Sequence, residues 1–364
     1  MRGSTATSLL ALLLVASSTV AMRTVQLNTT FKVDISLDPE HRFDEVCKAF
    51  PNFAKDAKAY AEQFLPKAAI PVVDVLVDAI DTVLGERGKE MKGYAKCTGL
   101  DLGTLVALNY AYELRRLGPA APNTTTPGDY HGMCTSIVAQ QEDGTMVHGR
   151  NMDWNLDNAM RPYTILVDFY DGDKHLFQGI TFVGFIGLIT AYKPGQFSMS
   201  MDAREEGGAI AGDFLQMIFK GGVETSYAGR VIMQEATDYE SARTLASTIS
   251  LAAPIYIIMA GSQPGEGCVV TRDRDAPVDV WDLSATGSWY LIETNYDHWQ
   301  PAPAGDDRRD YGIKHMDAVG QDKISIDTLF DVMSMYPTMN NNTEYTTVFA
   351  PAKSYFAGYV RYTN

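Results

Sequence analysis

At 364 residues the chain is long enough for one large domain or two ordinary ones. Hydrophobic residues make up 46% and charged residues 21%, the balance of a chain that folds around a core, which excludes a largely disordered protein. The formal net charge of −15 argues against nucleic acid as a partner, because phosphate binding needs a basic surface.

The first element is "LLALLLVASSTVA", an apolar run behind Arg2 that ends in small residues. Residues 1–21 read as a secretory signal peptide, with Thr19 and Ala21 at the positions that signal cleavage favours. The run is short for a membrane span, and no later stretch of about eighteen apolar residues follows. Entry to the secretory pathway gives meaning to three glycosylation sequons, at Asn28, Asn123 and Asn341. The four cysteines, Cys47, Cys97, Cys134 and Cys268, are too few for a disulfide scaffold. With Cys134 free, at most one intramolecular bridge forms among the other three, and the leftover thiol is expected buried and inert, as Cys268 would be at the head of an apolar strand. The sequence has no CxxC pair and no Cys/His cluster with zinc spacing, so neither a metal nor a cofactor is expected.

Up to residue 133 the pattern is helical. "NFAKDAKAYAEQFL" reads as one helix and "VVDVLVDAIDTVL", opened by Pro71, as a second. The second carries Asp74, Asp78 and Asp81 on one stripe, which predicts burial of most of its remaining circumference against the rest of the protein. A minor alternative is that this helix, with Phe50, Phe64 and Leu65, forms a face for peripheral membrane contact. "LGTLVALNYAYELRRL" is a third helix, followed by the Pro/Thr/Asn-rich loop "GPAAPNTTTPGDYHG".

From Cys134 onward the pattern turns to strands: "CTSIVAQ", "TMVHGRNM", "YTILVDFY", "HLFQGITFVG", "GLITAYK" and "QFSMSMDA". Helical segments follow at Phe214–Phe219 and Tyr227–Ser247, then strands in "IYIIMAG", "CVVTRDR", "PVDVWDL" and "WYLIETNY". The helix "SIDTLFDVMSM" precedes a strand-like tail. This order predicts an α+β layered fold with helices on largely antiparallel sheets.

The loop ahead of Cys134 is the kind of segment at which chains are cut. A cut between Met133 and Cys134 would give the cysteine a free amine, so that one residue supplies nucleophile and base together. Neither His131, on the wrong side of such a cut, nor His148 lies at a spacing that makes it an obvious partner for the thiol. The hairpin turning at "EDG" returns Arg150 and Asp153 toward Cys134. Arg150 can lower the pKa of thiol and amine, and Asp153 can hold the amine. From spacing alone, a surface Arg/Asp pair at a strand end fits about as well.

"CTSIVAQ…HGRNMDW", "GFIGLITAYKPGQFSMS", "GEGCVVTRDR", "ETNYDHWQPAPAGDDRR" and "TEYTTV" resemble, in order, the motifs of the acid ceramidase and N-acylethanolamine acid amidase family of lysosomal N-terminal-nucleophile hydrolases. The likeness covers nearly all of residues 134–350 and is looser before them. It implies self-cleavage into a helical α subunit, residues 22–133, and a catalytic β subunit, residues 134–364, in a four-layer αββα sandwich. It implies Cys134 as nucleophile, its amine as base, Arg150 and Asp153 as tuning groups, Asn295 as oxyanion donor and Arg308 as a further polar member. The expected reaction is hydrolysis of a lipid amide in the lysosome, with "ETNYDHWQPAPAGDDRR" nearer the fatty acid ethanolamide branch than the ceramide branch. One departure touches the chemistry: Ala203 stands where the family usually has a glutamate, so that Glu205 replaces it, or it is dispensable, or catalysis is weakened. The approach to the cleavage site is also longer than the family's and carries the Asn123 sequon.

Overall fold

The computed structural model of the chain describes residues 22–65, 69–115, 134–154, 160–204 and 221–363. Among the described residues fourteen strands form two sheets. In chain order they begin with β1 (Arg23–Gln26), β2 (Thr30–Asp34), β3 (Thr135–Gln140), β4 (Met146–Asp153) and β5 (Thr164–Asp171). Then come β6 (Lys174–Phe182), β7 (Thr190–Lys193), β8 (Phe197–Ala203), β9 (Ile255–Gly261) and β10 (Gly267–Arg272). The last are β11 (Pro277–Asp282), β12 (Tyr290–Glu293), β13 (Thr343–Ala350) and β14 (Tyr355–Tyr362). The six-stranded sheet has the order β1-β14-β13-β4-β3-β12, and the eight-stranded one β11-β10-β9-β8-β7-β6-β5-β2. Pairing is antiparallel throughout except for β2 against β5.

The sheets face each other across Val138, Tyr256, Ile258 and Leu291. Strands buried on both faces lose the polar alternation of a half-exposed sheet, which is why β4, β8 and β9 read as nearly continuous buried runs. Helices Arg308–Val319 and Ile326–Met333 cover the outer face of the six-stranded sheet through Met316, Leu329, Val332 and Met333. Gly149 permits that approach: a Cβ there would lie 2.9 Å from Met333 Cγ. Helices Thr225–Glu235 and Tyr239–Thr248 cover the eight-stranded sheet, and Gly229 sits so close that a Cβ would meet Leu188 O at 2.1 Å. The architecture is the expected αββα sandwich.

The N-terminal segment departs from the helical expectation at its start. β1 and β2 extend one edge of each sheet, so residues 22–34 belong to the sandwich itself. Both strands are short and partly exposed, and backbone pairing places them where side-chain pattern does not. The helix expected over "VVDVLVDAIDTVL" is two helices, Ile70–Asp78 and Ile80–Val83, broken at Ala79. Only Val73, Leu76, Ile80 and Leu84 are buried, while Ile70, Val75 and Val83 face solvent, so the expected burial of most of its surface is corrected. "LGTLVALNYAYELRRL" likewise bends at Tyr110 into Leu102–Asn109 and Ala111–Arg115.

Two helices lack a legible apolar stripe: Gly85–Thr98 buries Arg87 and Glu90 on its inner side, and Arg308–Val319 buries only Arg308, Gly312 and Met316. Cys47 and Cys97 form the single disulfide, joining helix Asp44–Ala49 to helix Gly85–Thr98, and Cys268 is buried. Tyr227–Ser247 is two helices, divided where Asp238 forms a capping box with Ser241. Residues 1–21, the segment with Asn123, His131 and Met133, Glu205 and Phe214–Phe219 lie outside the described residues. Among the described residues no helix is long and apolar enough to cross a membrane.

Candidate active site

The β3–β4 hairpin does what its turn promised. Gln141 and Thr145 close it around Gly144, whose φ of +85° suits glycine. The register pairs Ser136 with Arg150 and Thr135 with Asn151, which leaves Cys134 at the head of β3 beside the far end of β4. β12 lies on the other side of β3, and the chain leaving it delivers Asn295.

Cys134, Arg150, Asp153, Asn295 and Arg308 therefore gather around one point between the sheets, and none is more than 9% exposed. Arg150 Nη2 donates to Cys134 Sγ at 3.4 Å and to Met201 O at 2.9 Å. Its Nη1 donates to Thr190 Oγ1 at 2.6 Å and Tyr345 Oη at 2.7 Å, which locks the guanidinium plane. Asp153 accepts from Asn340 Nδ2 at 2.8 Å through Oδ2, while its Oδ1 is buried without a well-formed hydrogen bond among the described residues. The Thr343 hydroxyl also faces the carboxyl, and the remaining acceptor capacity suits an amine donor.

Asn295 takes a left-handed backbone, φ 74°, which Asn tolerates better than most residues. That twist aims Oδ1 at the Cys134 N–H, 2.5 Å away, while Nδ2 donates to Ala203 O at 2.8 Å. Arg308 heads its helix and is fully buried, unlike the surface ion pair its sequence neighbours would allow. It is bidentate to Asp306 at 2.9 and 2.7 Å, and its Nη1 donates to Cys134 O and to Asn295 Oδ1.

Burial pushes the Cys134 thiol up to about 11, against the opposing charge of Arg150. The Asp153 carboxyl is raised by burial to about 7, against the nearby Arg308. His148 is not a partner of the thiol. It is buried between Ser198 and Ser200, each 3.0 Å from a ring nitrogen, and burial lowers its pKa to about 3. Thr135 Oγ1 is buried and makes no hydrogen bond among the described residues.

A buried, base-poor thiol wrapped by a locked arginine is suited to nucleophilic attack only if a proton acceptor is supplied beside it. Comparison with known proteins bears on which chemistry this serves. Residues 134–310 match the model of the linear amide C–N hydrolases, choloylglycine hydrolase family. The chain is 36% identical to an N-acylethanolamine-hydrolyzing acid amidase of Rattus norvegicus over 89% of this chain and 86% of that protein. It is 33% identical to an acid ceramidase of Homo sapiens over 91% of this chain and 85% of that protein.

The chain belongs to the linear amide C–N hydrolases. A solved Caenorhabditis elegans N-acylethanolamine-hydrolyzing acid amidase ortholog superposes with a TM-score of 0.54 at 32% identity, covering 60% of this chain and 93% of that one. As a member of this family the chain is an amidohydrolase with the N-terminal-nucleophile fold.

For an amidohydrolase the neighbouring cavity matters as much as the polar cluster. A cavity opens beside Cys134. Its walls are mainly apolar, including Met152, Met160, Phe182, Phe185, Ile189 and Ile255. The N-terminal segment completes it with Tyr60 and Tyr112, and Trp154 Nε1 donates to Tyr60 Oη at 3.0 Å across the join. Phe50 and Leu65, noted in the sequence for their apolar surface, are partly buried and pack against the core, and the side chain of Phe64 lies outside those described. Ala203 lines the cavity, so the missing glutamate is missing from the reaction space. Sequence reading overlooked Asp202, Thr190, Tyr345 and Asn340, each of which braces a member of the cluster. A carboxylate in the apolar strand "FSMSMDA" was the available signal for Asp202.

Proposed function

We propose that the chain is cut between Met133 and Cys134 and that the new N-terminal cysteine hydrolyses fatty acid ethanolamides, such as palmitoylethanolamide, to fatty acid and ethanolamine in the lysosome. The observation that carries this reading is the pairing of a charged cluster around both Sγ and N of Cys134 with a mostly apolar cavity at the same atom. Sγ attacks the amide carbonyl, and the C–N bond breaks as the Cys134 amine protonates the departing ethanolamine nitrogen. Water, deprotonated by the same amine, then cleaves the thioester. Arg150 steadies the sulfur, Asp153 and Asn295 hold the amine, and Arg308 fixes the residue through its carbonyl. Asn295 Nδ2 is the oxyanion donor once its bond to Ala203 O is shared.

A base is needed because burial holds the thiol protonated. A reference α-amine near pH 8 is neutral only about once in a thousand at pH 5, a cost of ~4 kcal/mol. Burial and the two arginines relieve that cost by favouring the neutral amine.

Residues 22–133 and 134–364 stay together as an α/β heterodimer in this reading, since the first piece supplies an edge strand to each sheet and part of the cavity wall. The solved relative supports it: its chain, matched over nearly all its length by 60% of this one, is about as long as the second piece. Exposed Ile70, Val75 and Val83 support a peripheral membrane contact that would collect lipid. Asn28 and Asn341 are exposed, as glycosylation in the secretory pathway requires.

A second reading, ceramide as substrate, is favoured by the near-equal identity to relatives of both names. Intact-mass analysis after acid incubation, followed by assay of both lipids, tests the proposal. We expect fragments 22–133 and 134–364 from wild type, an intact Cys134→Ala chain, and faster turnover of the ethanolamide. A wild-type chain that remains whole while active would overturn the mechanism, and faster ceramide turnover would reverse the substrate assignment.

A further inference from the structure

Asp202 lies on β8 with both carboxylate oxygens inside the protein. Its Oδ1 accepts from Ser136 Oγ at 3.0 Å and stands 3.6 Å from Arg150 Nε. Its Oδ2 is buried without a hydrogen bond among the described residues, while Arg150 Nε faces Oδ1 as its charge partner. Ser136 is the cross-strand neighbour of Arg150 and continues the contact to Ser200 at 2.9 Å, which reaches His148 at 3.0 Å. A chain of touching polar groups thus runs from His148 to Asp202, and Arg150 carries it on to the sulfur of Cys134.

The charged and titratable groups facing Asp202 are Arg150 on β4, Arg308 on its helix, Glu293 on β12 and Cys134 on β3. His148, at the far end, is held neutral by burial. Arg150 is the side chain in contact with both Asp202 and the sulfur, so the two anions compete for one guanidinium. Because all three groups are buried, that competition is screened far less than at the surface.

We propose that Asp202 is a positioning residue that gates Cys134 through Arg150: neutral, it leaves the guanidinium charge to the sulfur, and ionised, it claims that charge and disfavours the thiolate. This rests on the amidase reading for the role of Cys134. Burial raises the Asp202 carboxyl to about 6, so the neutral form dominates in acid and gives way toward neutral pH. The hydrogen bond from Ser136 favours the ionised form. Acid preference would then be built into the site, with no outside sensor.

The experiment is alkylation of Cys134 by iodoacetamide, followed by intact mass across about pH 4 to 8, beside amide turnover over the same range. Wild type, Asp202→Asn and Ser136→Ala are compared. We expect Asp202→Asn to raise the alkylation rate at neutral pH by about tenfold, the effect of one pKa unit on the thiolate, and to carry turnover to higher pH. Ser136→Ala should move the alkaline limb the same way by less, because the carboxyl loses the donor that favours its ionisation. A residue that is only structural would slow both readouts at every pH and leave the limb in place, and that result overturns the proposal. If Asp202→Asn does not fold, Ser136→Ala decides alone. A wild type that hydrolyses neither lipid defeats the substrate assignment, while alkylation still judges Asp202.

Discussion

Asn295 is the residue whose backbone and side chain are both committed. Its φ of 74° turns the chain out of β12, and Glu293 Oε1 accepts its N–H at 2.8 Å, so the side chain has one direction open, toward Cys134 N and Ala203 O. Replacing it by alanine would mix loss of the amide with backbone strain. Asn295→Gly separates them, since glycine accepts positive φ without cost. We expect that variant to fold with a melting temperature lowered by several degrees, because the amide's buried partners lose their bonds, to self-cleave slowly, and to lose about 10²–10³-fold in kcat, the loss found for a single oxyanion donor. An unchanged kcat in a correctly cleaved Asn295→Gly protein would remove Asn295 from the reaction.

At the scale of elements, the helix Gly85–Thr98 carries an unusual burden for a segment with no clear apolar face. Glu90 is fully buried and accepts from Arg230 at 2.6 and 2.7 Å and from Arg42 at 2.8 Å. Nearby, Arg87 meets Glu224 at 2.5 Å. Both contacts with Arg230 and Glu224 join the segment before residue 116 to helix Thr225–Glu235 in the other half of the chain. Removing one member of a buried ion pair leaves an uncompensated charge at a cost of about 3–5 kcal/mol, far more than a surface pair. Glu90→Ala should therefore lower stability on that order. It should also let the two fragments separate on size-exclusion chromatography after cleavage, where wild-type fragments co-elute.

At the scale of the whole molecule, five buried carboxyls set the sign of the pH response. Asp153 and Glu113 are raised to about 7 and Asp202 to about 6, all chiefly by burial. Glu224 and Glu293 are shifted the same way. Unfolded carboxyls titrate near 4, so between about pH 4 and 7 the folded chain holds more protons than the unfolded one. Stability is then fullest in acid and falls as pH rises through that window. The net charge of −15 at neutral pH acts in the same direction by self-repulsion. Calorimetry should find the melting temperature higher at pH 5 than at pH 7.5, by roughly 5 °C or more. Glu113 is away from the cut and accepts from Thr225 N and Oγ1 at 2.9 and 3.0 Å, which a glutamine oxygen can also do. Glu113→Gln should flatten the response, and a pH dependence identical to wild type would assign it to the other groups.

The residues themselves carried what is local. The alternation of "CTSIVAQ" and "TMVHGRNM" around a Gly turn determined a hairpin, and the hairpin alone brought Arg150 and Asp153 back to Cys134, because strand register is a matter of counting. Motif order over residues 134–350 pointed to the sandwich and its five polar residues. What distance along the chain conceals was decided only on folding. β1 and β2 are too short and polar to announce themselves, and exist because two sheet edges needed partners. Arg308 and Asp306 read as a surface ion pair until the fold buried both and set the Arg308 guanidinium against Cys134 O. Asp202 became a neighbour of Arg150 by strand packing between two sheets. Local pattern reports which face of an element is buried. Which buried charges share a space, and so shift one another, is settled by the layers that close over them.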